Sequence, residues 1–305
     1  MKPITSIDVV GLGALGVLYA DYFTRALGKE HVRVLANRDR MERYRREGVI
    51  LNGRPCDFQY ADAASESRPA ELLLFSVKFG ALKEAMAEVA HLVGPDTTII
   101  SILNGISSEQ LLGEAFGAEK IVWCVSQKAA ALKEGNRASV RGVGTLALGI
   151  PAGQDPERFR AVVDFMNRTG FPCELPEDIH RHMWSKLLCN TGCNQVVMVY
   201  EGDYSTIQCP GEARDRMIAA MEEVVQVANA EGVALSEADV QMWVSVLDGF
   251  DPGSEPSMRQ DGKAHRKSEV ELFSGTIRRL AAKHGIPVPV NDWLYEKVAE
   301  MEGAY

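Results

Sequence analysis

The chain lacks the features that mark membrane, secreted and nucleic-acid-binding proteins. None of its apolar runs approaches the roughly 20 residues that a transmembrane helix needs. Its net charge is −9 and no basic face stands out, which argues against an electrostatic surface for nucleic acid. Met-Lys followed at once by a predicted strand does not resemble a signal peptide.

Paired cysteines are also absent. The six cysteines form no C-x-x-C pair and match neither a disulfide framework nor a zinc site, so we expect free thiols, no metal and a cytoplasmic location. Cys189 and Cys193, one helical turn apart, are predicted to be buried apolar thiols. The remaining composition, 46% hydrophobic and 25% charged in 305 residues, describes a globular chain long enough for two domains.

A glycine motif dominates the first forty residues. An apolar strand over residues 6–10 is followed directly by G-L-G-A-L-G and then by a predicted helix. The residues expected to contact a dinucleotide are Gly11, Gly13, Ala14, Leu15 and Gly16. The order of strand, glycine turn and helix favours dinucleotide binding over a merely structural turn. Glycines allow the tight turn, the approach of backbone N–H groups to a pyrophosphate and close packing of helix on strand.

The end of the second predicted strand, residues 32–35, carries no acidic residue. An NAD enzyme usually places Asp or Glu there to bind the ribose 2′-hydroxyl. This chain has Asn37 and Arg38 instead, and a guanidinium suits a 2′-phosphate. We therefore predict NADP(H), bound near Asn37 and Arg38. The alternative is a solvated basic start of a helix, since four more arginines follow.

The remaining pattern predicts an α/β fold with two domains. Residues 1–174 alternate between predicted strands and helices, as in a Rossmann-type dinucleotide-binding domain, with antiparallel strands over 127–149 at the sheet edge. Residues 175–305 show helical patterns alone and predict an all-helical domain, including one long helix over 262–284. Two prolines near the boundary interrupt the chain.

One predicted helix of the second domain carries a polar stripe. Lys186, Asn190 and Asn194 are spaced four apart, which puts an amine and two carboxamides on one face. Their neighbours are apolar, so the helix is expected to be buried, and buried polar groups need partners. A bound substrate would provide them, although water or backbone groups could satisfy the stripe equally well.

A second polar group follows later in the chain. Ser257 stands at or just before a predicted helix start, where a hydroxyl and free N–H groups can hold a carboxylate. The alternative interpretation is a simple helix cap. Glu269 could likewise be an ordinary solvated helix charge.

These motifs together resemble the ketopantoate reductase family. The resemblance rests on G-L-G-A-L-G, Val77-Lys78, Asn104-Gly105, W-S-K-L-L-C-N with Asn194, and S-M-R-Q-D followed by K-S-E. It implies NADPH-dependent reduction of 2-dehydropantoate to (R)-pantoate, a step in pantothenate biosynthesis.

The resemblance also implies roles for individual residues. Lys186 would be the general acid, and Glu269 would bind substrate and the lysine. Asn190, Asn194 and Ser257 would hold the hydroxyl and carboxylate of the substrate. Asn104 would lie between nicotinamide and substrate, and Lys78 near the cofactor. The expected partner is thus a small 2-keto acid.

The chain departs from the family pattern near the expected substrate pocket. The family often has proline where Gln195 stands and a second glycine where Ile106-Ser107 stand. Another 2-keto acid or a β-hydroxy acid is therefore an alternative substrate. A non-catalytic NADP(H)-binding sensor is a second alternative, although a sensor would need only the glycine loop. The helical domain could also form a homodimer.

Overall fold

The computed structural model describes residues 2–305, and its internal contacts divide them into two compact units. The first unit contains residues 2–104 and 108–179, and the second contains residues 105–107 and 180–305. The boundary expected from sequence, at 174/175, lies a few residues before the structural division. No helix within residues 2–305 combines the length and the apolarity needed to cross a bilayer.

The first unit is built on a parallel sheet, in agreement with the predicted Rossmann-type domain, and this sheet has five strands. Its order is β5-β2-β1-β6-β7. The strands are β1 (Ile7–Val10), β2 (Val32–Ala36), β5 (Gln59–Asp62), β6 (Leu72–Phe75) and β7 (Thr98–Ser101). Four of these strands are buried along their whole length, and β6 is a continuous apolar run, as expected for a strand covered on both faces. Strand β2 pairs with one side of β1, and the later strand β6 pairs with the other side. The strand order therefore reverses between β1 and β6, and this is the topological switch point of the sheet.

The remaining strands of this unit do not extend the parallel sheet. They are β3 (Ile50–Leu51), β4 (Arg54–Pro55), β8 (Trp123–Gln127), β9 (Ala130–Glu134), β10 (Arg137–Arg141), β11 (Thr145–Gly149) and β12 (Cys173–Glu174). They form two separate sheets, in the orders β4-β3-β10-β9 and β12-β11-β8. The strands over 127–149 are antiparallel as expected, but their place at the edge of the parallel sheet was wrong, since they belong to separate sheets. Glycines at positive φ, Gly142 and Gly144, turn the chain so that β11 pairs back on β8 instead.

Helices cover the parallel sheet. They are α1 (Ala14–Leu27), α2 (Arg38–Glu47), α3 (Leu82–Val89), α4 (Ser108–Phe116) and α5 (Glu157–Thr169). Two separate apolar clusters fill the unit, one including α1 and α5 and the other including α3 and α4. Leu72 and Leu74 face the first cluster while Leu73 and Phe75 face the second, because successive side chains of a strand point to opposite faces.

An ion pair is buried within the sheet itself. Asp8 of β1 and Arg33 of β2 are register partners, and each is 1% exposed. Arg33 donates to both carboxylate oxygens of Asp8, with Nε to Oδ1 at 2.6 Å. Burial raises the pKa of the Asp8 carboxyl, and the guanidinium of Arg33 opposes this rise. Removing either partner would leave a charge buried without its main counterion.

The described residues of the second unit form helices and no strand, in agreement with the sequence prediction. Its helices are α6 (Ile179–Val199), α7 (Ser205–Gln208), α8 (Glu212–Ala230), α9 (Glu237–Asp248), α10 (Ser257–Lys263), α11 (Ser274–His284) and α12 (Pro289–Glu302). Ser236 and Asp239 form a capping box at the start of α9.

The expectation of a single helix over 262–284 was wrong. Helix α10 ends at Lys263, and His265 adopts a left-handed φ of 48°. The carbonyl of Asp261 accepts from the N–H groups of Ala264 and Arg266, which closes the end of the helix. A 3₁₀ turn over Val270–Leu272 then precedes α11. The break places Glu269 in a turn between two helices rather than on a helix face.

Candidate active site

The glycine loop after β1 has the shape of a phosphate cradle. At Gly11, φ is 98° and an added Cβ would lie 2.7 Å from Val77 Cγ1. At Gly16, an added Cβ would lie 2.1 Å from the carbonyl oxygen of Gly11. Both glycines are therefore required by the fold of the loop itself.

Gly13 differs from its two neighbours. An added Cβ there would lie 3.6 Å from the carbonyl oxygen of Ser76, an ordinary contact, and Gly13 is exposed. Internal packing thus does not explain the glycine, whereas the approach of a ligand to the backbone would. Gly13 is the N-cap of α1, no side chain caps this helix, and its first turn, which begins with Ala14 and Leu15, contains no acid. The N-terminus of α1 therefore suits an anion, and the loop fits a dinucleotide pyrophosphate.

The end of β2 presents both an arginine and an acid. Asn37 caps α2, and its Oδ1 accepts from the N–H of Arg40 at 3.0 Å. Arg38 is the first residue of α2, and its side chain is 76% exposed. Its Nη2 lies 3.8 Å from Oδ2 of Asp62, whose strand pairs with β2 so that Ala36 faces Asp62. Sequence reasoning missed Asp62, because strand pairing rather than chain order brings it to this position.

Two further predicted residues follow neighbouring strands of the same sheet. Lys78 comes three residues after β6, is exposed and precedes a 3₁₀ turn. Asn104 comes three residues after β7 and is half-buried. Because carboxyl ends of neighbouring parallel strands lie at one edge of a sheet, both lie at the same edge as the glycine loop.

The polar stripe of the second unit lies on α6. Lys186 and Asn190 are half-buried, and Asn194 is buried. Leu187 and Leu188 beside them are fully buried, and between residues 183 and 198 the helix is buried everywhere except at Lys186 and Asn190. One continuous helix of 21 residues holds the three polar groups in a row.

The two cysteines of α6 are inert, in agreement with the prediction of buried apolar thiols. Both are free and buried. Burial raises the pKa of Cys189 to about 12, an effect that the nearby charge of Lys186 reduces, and burial also raises the pKa of Cys193. Thiolate is the nucleophilic form, so neither side chain is a nucleophile at neutral pH.

Ser257 begins helix α10, and Glu269 follows the end of that helix. Ser257 is the first residue of that helix, and Pro256 occupies the N-cap position without a side-chain capping bond. The interpretation of Ser257 as a simple helix cap was therefore wrong. Glu269 is 8% exposed and precedes the 3₁₀ turn, so it is not a solvated helix charge. Gly105, at φ 85°, packs on this turn, since an added Cβ would lie 3.3 Å from Leu272 Cδ2.

Comparison with known proteins agrees with these features. The family model "Ketopantoate reductase PanE/ApbA" matches residues 7–153, and "Ketopantoate reductase PanE/ApbA C terminal" matches residues 178–302. The 2-dehydropantoate 2-reductase of Aquifex aeolicus (strain VF5) is 24% identical over 300 residues, covering 96% of each chain.

Two solved structures are similar over nearly the whole chain. A 2-dehydropantoate 2-reductase from Geobacter metallireducens GS-15 has a TM-score of 0.85 at 25% identity, covering 97% of this chain and 99% of that one. A D-mandelate dehydrogenase in complex with NADH and anilino(oxo)acetate has a TM-score of 0.86 at 21% identity, covering 98% and 99%, and shares the fold. With both family models matched along most of its length, the chain belongs to the ketopantoate reductase family.

Proposed function

We propose that the protein reduces a small branched 2-keto acid with NADPH, and that 2-dehydropantoate is the substrate, giving (R)-pantoate. The observation that carries this proposal is the row of Lys186, Asn190 and Asn194 on a core helix in a chain of the ketopantoate reductase family. The test is oxidation of NADPH in the presence of 2-keto acids. A cytoplasmic location and a homodimer remain predictions.

The first unit would bind the cofactor. The backbone around Gly13 and the N-terminus of α1 would hold the pyrophosphate. Arg38 would hold the 2′-phosphate, while Lys78 and Asn104 would lie near the nicotinamide end. When bound there, the cofactor would supply the hydride for reduction.

The second unit would bind the keto acid and supply the proton. As hydride reaches the carbonyl carbon, negative charge builds on the carbonyl oxygen. The ammonium of Lys186 would stabilise this charge and donate a proton from Nζ to the oxygen. Glu269 would help to keep the lysine charged and would bind the substrate. Asn190, Asn194 and Ser257 would hold the hydroxyl and the carboxylate.

Replacing Arg38 with alanine is expected to weaken NADPH much more than NADH. The guanidinium is exposed, and its contact with Asp62 is the kind of surface pair that contributes at most about 1 kcal/mol, so a phosphate can displace it. Loss of a charge-assisted hydrogen bond would cost NADPH roughly 1.5–3 kcal/mol. Titration of both cofactors measures this difference.

The matched control is Arg46→Ala, in the last turn of the same helix, where the arginine pairs with Glu47. It should leave both affinities unchanged. Equal weakening of NADPH and NADH by Arg38→Ala would show that Arg38 does not bind the 2′-phosphate.

Replacing Ser257 with alanine is expected to raise KM for the keto acid about 10-fold, since a hydrogen bond to a charged carboxylate is lost. NADPH affinity should stay nearly unchanged. Steady-state kinetics and cofactor titration provide the two measurements. Ser254→Ala is the control, because that hydroxyl donates to the carbonyl of Asp251 in the preceding loop. A fall in NADPH affinity would place Ser257 in the cofactor site.

Another 2-keto acid is the second candidate substrate. The residues after Asn194 differ from the family pattern and are fully buried; they are Gln195, Val196, Val197 and Met198. A change of substrate is compatible with the 24% identity to a curated relative. A panel of linear, branched and aromatic 2-keto acids separates the two, because the true substrate gives the highest kcat/KM.

A further inference from the structure

A buried carboxamide follows the last asparagine of the polar stripe. Gln195 is fully buried on α6, next to Asn194. Its Nε2 donates to the carbonyl of Thr191 at 2.6 Å, which fixes the side chain on its own helix. Its Oε1 accepts from the backbone N–H of Ser274 at 3.3 Å. Gln195 thus joins α6 to the first residue of α11.

The first residue of α11 is held from a second side. The hydroxyl of Ser274 donates to Oδ1 of Asn291 at 2.8 Å, and Nδ2 of Asn291 donates to Oε2 of Glu223 at 2.7 Å. Glu223 also accepts from the backbone N–H groups of Val290 and Asn291, at the start of α12. All three side chains are buried. Helices α6, α11 and α12 therefore meet at Ser274, and Asn291 extends this network to α8 through Glu223. The side chains of the network lie away from water.

Ser274 is connected to Glu269 by a closed turn. The carbonyl of Glu269 accepts from the N–H of Leu272 at 2.9 Å, and the carbonyl of Val270 accepts from the N–H of Phe273 at 3.1 Å. Val270, Leu272 and Phe273 are buried. The backbone between Glu269 and Ser274 therefore has little conformational freedom. A displacement of Ser274 would for this reason also move Glu269.

We propose that Gln195 is a positioning residue that sets the place of the Glu269 carboxylate relative to the polar stripe of α6. It acts through the N–H of Ser274 and does not touch the substrate. Gln195 follows directly after Asn194 in α6. One short segment of this helix therefore carries Asn194, a proposed substrate-binding group, and also positions Glu269, a second one. The inference rests on the proposed function for the role of Glu269.

The test is a double-mutant cycle between Gln195→Met and Glu269→Gln. Methionine has a similar length but makes neither hydrogen bond. Gln195→Met alone is expected to raise KM for the keto acid about 10-fold with kcat nearly unchanged, a coupling of ordinary size. In the Glu269→Gln background the same change should have little further effect. Partial unfolding would instead lower the apparent kcat at constant KM.

The control is Gln208→Met, which also removes a carboxamide of the second unit. Nε2 of Gln208 donates to the carbonyls of Leu247 and Phe250, far along the chain from Glu269. Its effect should be additive with that of Glu269→Gln. Additivity of Gln195→Met with Glu269→Gln would overturn the positioning role.

Hydrogen exchange separates this proposal from the proposed function. Gln195→Met should speed amide exchange over residues 269–274, and Gln208→Met should not. Unchanged exchange over these residues in Gln195→Met overturns the proposal even if the enzyme turns over. Faster exchange in a protein that reduces no 2-keto acid would support the positional claim and refute the proposed reaction.

Discussion

Replacing Lys186 with alanine is expected to lower kcat about 100-fold or more, within the range of a lost general acid. The oxygen of the carbonyl becomes anionic only as hydride arrives, so the ammonium stabilises the transition state more than the bound substrate. NADPH should still bind, because its proposed contacts lie on the first unit. The measurement is steady-state kinetics with the best 2-keto acid, together with NADPH titration.

The control for charge removal is Lys297→Ala, on the exposed face of α12, where the lysine pairs with Glu300. It should keep normal kinetics. A kcat for Lys186→Ala close to that of the unchanged protein would remove the lysine as the proton donor.

Replacing Asp8 with alanine is expected to lower the free energy of unfolding by about 3–5 kcal/mol, because Arg33 would stay charged inside the sheet with only the partly exposed Glu66, 3.0 Å from its Nη1, as counterion. Urea denaturation followed by circular dichroism measures the change. Double replacement, Asp8→Leu with Arg33→Met, should recover most of the loss, since it removes both charges and keeps the volume apolar.

Lys297→Ala also serves as the surface control for stability, with an expected change below about 1 kcal/mol. A loss below about 1 kcal/mol for Asp8→Ala would contradict the importance of the buried pair. A double variant as unstable as Asp8→Ala would show that packing volume, rather than the charge, is decisive.

Much of the fold could be predicted because its signals are local. Gly11 and Gly16 are required by contacts within their own loop, so the motif itself encodes the turn. Asn-Gly is a local signal for a hairpin turn, and Asn52 and Gly53 have φ of 49° and 80° between the paired strands β3 and β4. The row of Lys186, Asn190 and Asn194 follows from helical periodicity alone.

Other features depend on pairings that sequence order does not show. The residues after β7 show the side-chain alternation expected of strands. The turns at Gly142 and Gly144 determine that β11 pairs with β8, and the alternation does not indicate this pairing. Asp62 reaches the end of β2 only through the register of β5. The break after α10 depends on the left-handed backbone conformation of His265, which cannot be predicted from the residue type.

Candidate site residues could be named one by one from the sequence, but the residues that hold them in place could not. Glu269 could be singled out by resemblance, while its burial before a 3₁₀ turn emerged only with the break between α10 and α11. Gln195 was noted only as a departure from the family pattern. Its hydrogen bond to Ser274 joins residues far apart in the chain, and no periodicity indicates such a contact.

The central claim is that this chain is an NADPH-dependent reductase of a 2-keto acid. The most direct measurement follows the loss of NADPH absorbance with a panel of 2-keto acids, 2-dehydropantoate included, for the unchanged protein and for Lys186→Ala. We expect substrate-dependent oxidation, fastest with a branched 2-keto acid, that falls about 100-fold in the variant. NADPH that binds but is oxidised with none of the keto acids would contradict the claim and favour a cofactor-binding sensor.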